Sequence, residues 1–147
     1  MKIVLDTNVL ISGLKDEHSY EKQIIDAVIA GEIEAYANKQ TLQENRLIMR
    51  QLVDNPDYEK QINNFFGQVN YVTNRHNVHI VRDREDNKIL ESAVEAAADY
   101  LITSDNDLLN IEQYQGVKIA SPGAFWANYK DSGSDLWKQW TNYIAGK

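Results

Sequence analysis

The chain has 147 residues, 43% of them hydrophobic and 25% charged, with 15 basic against 22 acidic side chains and a net charge of −7. That length suits one domain with a real core, no apolar run approaches the roughly 20 residues of a membrane span, and no signal-peptide pattern opens the sequence. Cysteine is absent, which excludes disulfides and thiolate zinc sites and suits a cytoplasmic setting, while the acidic balance argues against capture of nucleic acid by bulk charge.

Lys2–Leu5 predicts a short buried strand, after which Asp6-Thr7-Asn8 turns into a helical segment, Val9–Leu14. A helix from about Ser19 to Ala30 follows, with Ile24, Ile25, Val28 and Ile29 on one face and Gly31 as its C-cap. Ile33–Ala37 predicts the second strand. A helix over Gln40–Val53 comes next, and Asp54-Asn55-Pro56 breaks it. Tyr58, Ile62, Phe65, Phe66 and Val69 mark another amphipathic helix. Val78–Val81 predicts a third strand, Asn87–Ala98 a helix, Tyr100–Thr103 a fourth strand and Val117–Ala120 a fifth. Ser121-Pro122 opens a further helix, a capping residue followed by proline at the first position. Strands alternating with helices predict a three-layer α/β/α sandwich around a mainly parallel sheet of about five strands.

Residues 1–130 form the predicted domain, and residues 131–147 read as an extension with a short amphipathic helix. Ser132-Gly133-Ser134 breaks the chain, and Leu136, Trp137, Trp140, Tyr143 and Ile144 then recur at helical spacing. Such a stripe either docks on the domain's own core or stays exposed for a partner.

Four acids fall where a predicted strand gives way to the next helix or loop. Asp6 closes Ile3-Val4-Leu5, and Glu44 is placed in the first turn of the helix after Ile33–Ala37. Asp86 follows Val78–Val81, and Asp105 comes two residues after Leu101–Thr103. The carboxyl ends of parallel strands share one edge, so these acids would meet in one cleft. Clustered like charges are costly unless a cation neutralises them, which points to a hard divalent metal. His18, His76 and His79 have no metal-ligand spacing.

Each acid also has a plainer use. Asp6 could start a turn, and Thr41 with Glu44 fits the capping box T-x-x-E. Asp86 could cap the next helix, and Ser104-Asp105-Asn106-Asp107 is ordinary turn composition. Four independent caps along one sheet edge are the less economical explanation.

Three stretches carry a family resemblance. They are Asp6-Thr7-Asn8-Val9-Leu10-Ile11-Ser12, Arg82-Asp83-Arg84-Glu85-Asp86-Asn87-Lys88-Ile89-Leu90, and Asp99-Tyr100-Leu101-Ile102-Thr103-Ser104-Asp105-Asn106-Asp107-Leu108-Leu109. In that order and spacing, from Met1 to about Tyr129, the chain resembles the PIN-domain ribonucleases, closest to the toxin components of bacterial toxin–antitoxin pairs. The resemblance implies that Asp6, Glu44, Asp86 and Asp105 are the metal-site acids and that Asn8 and Thr103 orient them. The segment before Glu44 is the loosest match. Asp83 and Asp107 are further acids nearby, assigned to supporting positions.

The implied activity is an endoribonuclease that hydrolyses single-stranded RNA with water activated by Mg²⁺ or Mn²⁺, Asp6 and Asp86 being the principal ligands. A small antitoxin with a basic segment, and commonly a homodimer, are implied as partners. Arg46 and Arg50 share a helix face, and Arg82, Arg84 and Lys88 bracket Asp86. They are either solvated charges or two basic rims that seat an RNA backbone. Other readings are an RNA maturation or repair nuclease without antitoxin, a non-catalytic RNA- or protein-binding module, and a phosphatase or receiver-type domain. The last would want a second acid two residues after Asp6, where Asn8 stands.

Overall fold

Strand β1 (Lys2–Leu5) sends its side chains alternately into two cores, as a strand covered on both faces must. Ile3 and Leu5 pack with Leu10, Ile24 and Phe125, whereas Val4 packs on the other face with Leu90 and Leu101. The computed structural model describes residues 1–52, 55–75 and 77–131. Within them β1 is followed by α1 (Thr7–Lys15), α2 (Tyr20–Ile29), β2 (Glu34–Asn38), α3 (Lys39–Leu52) and α4 (Pro56–Gln68). Then come β3 (Asn70–Val72), α5 (Arg84–Glu95), β4 (Tyr100–Ile102), α6 (Asn106–Leu109), β5 (Gln113–Tyr114) and β6 (Val117–Ala120). Residues 122–131 are helical, with Ser121 Oγ accepting from the Ala124 amide.

The sheet order is β3-β2-β1-β4-β6-β5, parallel throughout except for the β5–β6 pair. One face is covered by α1 to α4 and the 122–131 helix, the other by α5 and α6. This is the expected sandwich, with six strands in place of about five.

Two strand expectations need correction. Residues 78–81 are not a strand: the amides of Ile80 and Val81 donate to Asn87 Oδ1 at 3.1 and 3.2 Å, so a side chain takes the place of a neighbouring strand. The third strand is Asn70–Val72, a short edge strand paired with β2. β5 also went unforeseen. It is two residues long and is joined to β6 through Gln115 and Gly116, whose φ of 46° and 84° are the positive pair a tight hairpin requires.

Helix starts shift too. α5 begins at Arg84, capped by Asp83, so Asp86 lies inside the first turn and is not the N-cap. α3 begins at Lys39, with Asn38 Oδ1 accepting from the Gln40 and Thr41 amides at 2.9 and 3.4 Å. Thr41 is therefore already inside the helix. The capping box does not form, and Glu44 falls in the second turn rather than the first. All of the expected extension beyond Asp131, with Leu136, Trp137, Trp140, Tyr143 and Ile144, lies outside the described residues, as do Val53, Asp54 and His76.

Candidate active site at the carboxyl edge of the sheet

β1 and β4 are neighbours, yet the chain leaves β1 toward β2 and leaves β4 toward β6, on opposite sides. That reversal opens a crevice at the carboxyl ends of the two strands, where open α/β sheets bind ligands. Asp6 and Thr103 stand side by side there. The Asp6 amide donates to the Ile102 carbonyl at 3.0 Å and carries the β1–β4 ladder one residue past the strand.

Thr103 is fully buried and Asp6 is 9% exposed. The Thr103 hydroxyl donates to Asp6 Oδ2 at 2.8 Å and accepts from the Asp105 amide at 3.0 Å. One hydroxyl thus fixes one Asp6 oxygen and the backbone that carries the second acid. Asp105 caps α6, its Oδ1 accepting from the Asp107 amide at 2.8 Å. Its position in the turn and its place among the acids are compatible. Asp107 is exposed and serves here through its backbone.

Asp86 reaches the same crevice from α5. Its carboxyl is pushed up from 3.8 to about 7, first by burial, then by the charge of Asp105 and a hydrogen bond with it, then by Asp83 and Asp6. Asp83 contributes that charge while its Oδ1 caps α5 through the Glu85 and Asp86 amides. Among the described residues, no three His, Asp or Glu side chains are spaced to close on one ion. The two facts are compatible, because electrostatic reach exceeds coordination distance. The donor chemistry fits a hard divalent cation: oxygen only, several negative charges, and a carboxyl whose ionised form lacks a neutralising partner. Asp6, Asp86 and Asp105 are the residues that would hold it.

Glu44 is exposed on α3 and is not among the acids acting on Asp86. Its neighbour Asn45 is buried and accepts from Thr7 Oγ1 at 3.0 Å, tying α3 to the start of α1 directly after Asp6. Asn8 is exposed in the first turn of α1. The basic residues separate into two places. Arg46 is half-buried with its guanidinium 5.2 Å from the Phe66 ring centre, and with Arg50 it lines a cavity of about 180 Å³ between α3 and α4. Arg82, Arg84 and Lys88 line a different cavity, of about 480 Å³, beside α5.

Two residues that shape this edge were not singled out from the sequence, Asn45 and Asn87. Both are buried. Each is a polar residue on an apolar helical stripe, Leu42–Asn45–Met49 and Asn87–Leu90, and that mismatch was the available signal.

Comparison with known proteins agrees with this architecture. A PIN-domain family model matches residues 2–107. An uncharacterized protein of Methanocaldococcus jannaschii is 30% identical over 117 residues, which is 76% of this chain and 75% of that protein. No solved structure matches. PIN domains are generally nucleases, and their nucleases generally use divalent metals. With the family model covering most of the chain, the protein belongs to the PIN-domain family.

Proposed function

We propose that this protein is a divalent-metal-dependent endoribonuclease acting on single-stranded RNA. The observation that carries the reading is the Thr103 hydroxyl joining Asp6 and the Asp105 backbone at the β1–β4 reversal, with burial and the charges of Asp105, Asp83 and Asp6 pushing the Asp86 carboxyl up beside them. Asp6, Asp86 and Asp105 would hold Mg²⁺ or Mn²⁺, with Glu44 as an outer acid that orients water from α3. When bound, such an ion supplies Lewis acidity and lowers the pKa of water. The chain's own work is to hold carboxylates in place. Thr103 fixes the Asp6 rotamer, and Asp83 and Ser104–Asp107 fix the backbone on either side.

The toxin role in a toxin–antitoxin pair is part of the proposal, resting on the resemblance carried by Asp6–Ser12, Arg82–Leu90 and Asp99–Leu109. It brings with it a small antitoxin whose basic segment would cover the acids, and a homodimer. A neighbouring reading frame for a small protein with a basic tail would support the toxin role. The chemistry is tested by incubating purified protein with single-stranded RNA and Mn²⁺, with and without excess chelator. Cleavage that chelator abolishes supports the reading, and cleavage that survives exhaustive chelation overturns it.

A further inference from the structure

The cavity beside α5 is basic in a protein of net charge −7, and its cations lack carboxylate partners within it. His79, Arg82, Arg84 and Lys88 line it together with Asn87 and Glu91. Glu91 is the one acid in that lining, and both its oxygens are engaged: Oε1 accepts from the Val78 amide at 2.9 Å and Oε2 from Asn74 Nδ2 at 3.4 Å. Asn87 is engaged as well, by the Ile80 and Val81 amides and the Val81 carbonyl. These two residues hold the 78–81 segment against α5 and so form the wall of the cavity. The cations are what remains for a ligand. Among the described residues Arg82 and Arg84 have no ion pair, and Lys88 has an exposed one with Glu85 at 3.4 Å.

The cavity also stands in a defined relation to the acids. Arg84 and Lys88 are one helical turn apart and share a face, while Asp86 between them projects about 200° away. α5 therefore presents Asp86 to the crevice and Arg84 and Lys88 to the cavity. A helix with its side chains is about 10 Å across, so the two places are a short step apart for an extended strand.

We propose that this cavity is a second RNA-backbone subsite, in which Arg82, Arg84 and Lys88 hold a phosphate of the same strand whose scissile phosphate lies at the acids. The subsite rests on the ribonuclease reading of those acids. It also answers the charge problem: a protein too acidic to attract RNA as a whole grips it locally, across α5 from the chemistry.

The test is equilibrium binding of a fluorescently labelled single-stranded RNA in chelator, measured over a series of salt concentrations. Wild type is compared with the double variant Arg84→Ala/Lys88→Ala and with a control of equal charge loss, Lys118→Ala/Lys130→Ala. Each phosphate neutralised on a single strand contributes a slope of about −0.7 in log K against log salt. The α5 variant is expected to bind more weakly and to lose about 0.7 from the slope, with the control close to wild type. Under Mn²⁺ it should raise KM while leaving kcat near wild type. Thermal melts of all three proteins check that they remain folded, which the exposed or half-exposed positions favour. Equal slopes in wild type and the α5 variant would overturn the subsite, even if both cleave RNA. Equal losses in the control would also overturn it, as bulk charge alone. Wild type that binds no RNA in chelator yet cleaves it under Mn²⁺ would overturn the subsite alone, whereas no cleavage under Mn²⁺ would overturn the ribonuclease reading on which it rests.

Discussion

Thr103 and Asp6 are 97 positions apart in sequence, yet the Thr103 hydroxyl donates to Asp6 Oδ2 at 2.8 Å in a buried setting. The Thr103 oxygen also accepts from the Asp105 amide at 3.0 Å, so a single side chain couples the ends of β1 and β4. Thr103→Val keeps the shape and removes both bonds, leaving an amide and a carboxylate oxygen short of a partner. It should destabilise by about 1–3 kcal/mol, the cost of unsatisfied buried polar groups. Activity should fall by about 10–100-fold, as when a group that orients a metal ligand is lost. Thr103→Ser retains the hydroxyl and should recover most of the activity. Denaturant melts and cleavage rates of the two variants check this, and equal rates in Val and Ser would remove the hydroxyl from the account.

Burial, then the neighbouring acids Asp105, Asp83 and Asp6, push the Asp86 carboxyl up from an ordinary 3.8 to about 7 in the fold. The folded state binds the proton more tightly between those values, so stability from this group is fully present below about 3.8 and is lost as pH rises through about 7. Asp86→Asn in chelator should therefore melt above wild type at pH 8, with the gap closing toward pH 4. Divalent metal should raise the wild-type melting temperature at pH 8 by mass action, and raise that of Asp86→Asn much less. Melting curves that keep a constant offset across this pH range would contradict the assignment.

Glu44 can be tested with either substitution. Asn38 supplies the α3 cap, so Glu44→Ala and Glu44→Gln both leave the helix start intact. As exposed surface changes they should shift stability by no more than about 0.5 kcal/mol. If Glu44 orients water, both should reduce cleavage by at least about 10²-fold at limiting Mn²⁺. Wild-type cleavage by both would leave a site of three aspartates.

The close crossing of α1 and α2 depends on Gly13. A Cβ there would lie 2.5 Å from Ile25 Cδ1 and 3.1 Å from the Glu21 carbonyl carbon and the Lys22 nitrogen. The isoleucine tip can move, but the α2 backbone cannot do so freely. Gly13→Ala should cost about 1–3 kcal/mol despite the better helix propensity of alanine. Gly67 in α4 has nothing within 4 Å of such a Cβ, so Gly67→Ala should stabilise by about 0.5–1 kcal/mol. Urea unfolding of the two variants should show shifts of opposite sign.

Much of the fold was legible because β1 and β4 are short, largely apolar runs, β2 and β6 alternate buried with more exposed residues, and each ends at a turn-forming or acidic residue. Asp6 and Thr103 could be placed at the shared edge on that basis. The 78–81 segment misled because Val78-His79-Ile80-Val81 has strand composition, whereas its amides are satisfied by Asn87. β3 was hidden because three residues are too few for a periodic signal, and its pairing with β2 is a tertiary fact. Glu44 was misplaced for a local reason: Thr41 looked like a cap, but Asn38 three residues earlier took that role. The division of the cations between two cavities depends on how α3, α4 and α5 pack, which no local pattern encodes.

The central claim is that the acids at the β1–β4 reversal make one metal-dependent cleavage site. Its most direct measurement is the rate of single-stranded RNA cleavage across a Mn²⁺ titration, for wild type, Asp6→Asn, Asp86→Asn and Asp105→Asn, each shown to be folded by thermal melt. The account predicts metal-dependent cleavage by wild type and losses of at least about 10²-fold in Asp6→Asn and Asp86→Asn, the scale expected when a positioned charged group is removed from such chemistry. Asp105→Asn should also be slower and should require more Mn²⁺. Undiminished cleavage by Asp86→Asn, with the same Mn²⁺ dependence as wild type, would contradict it.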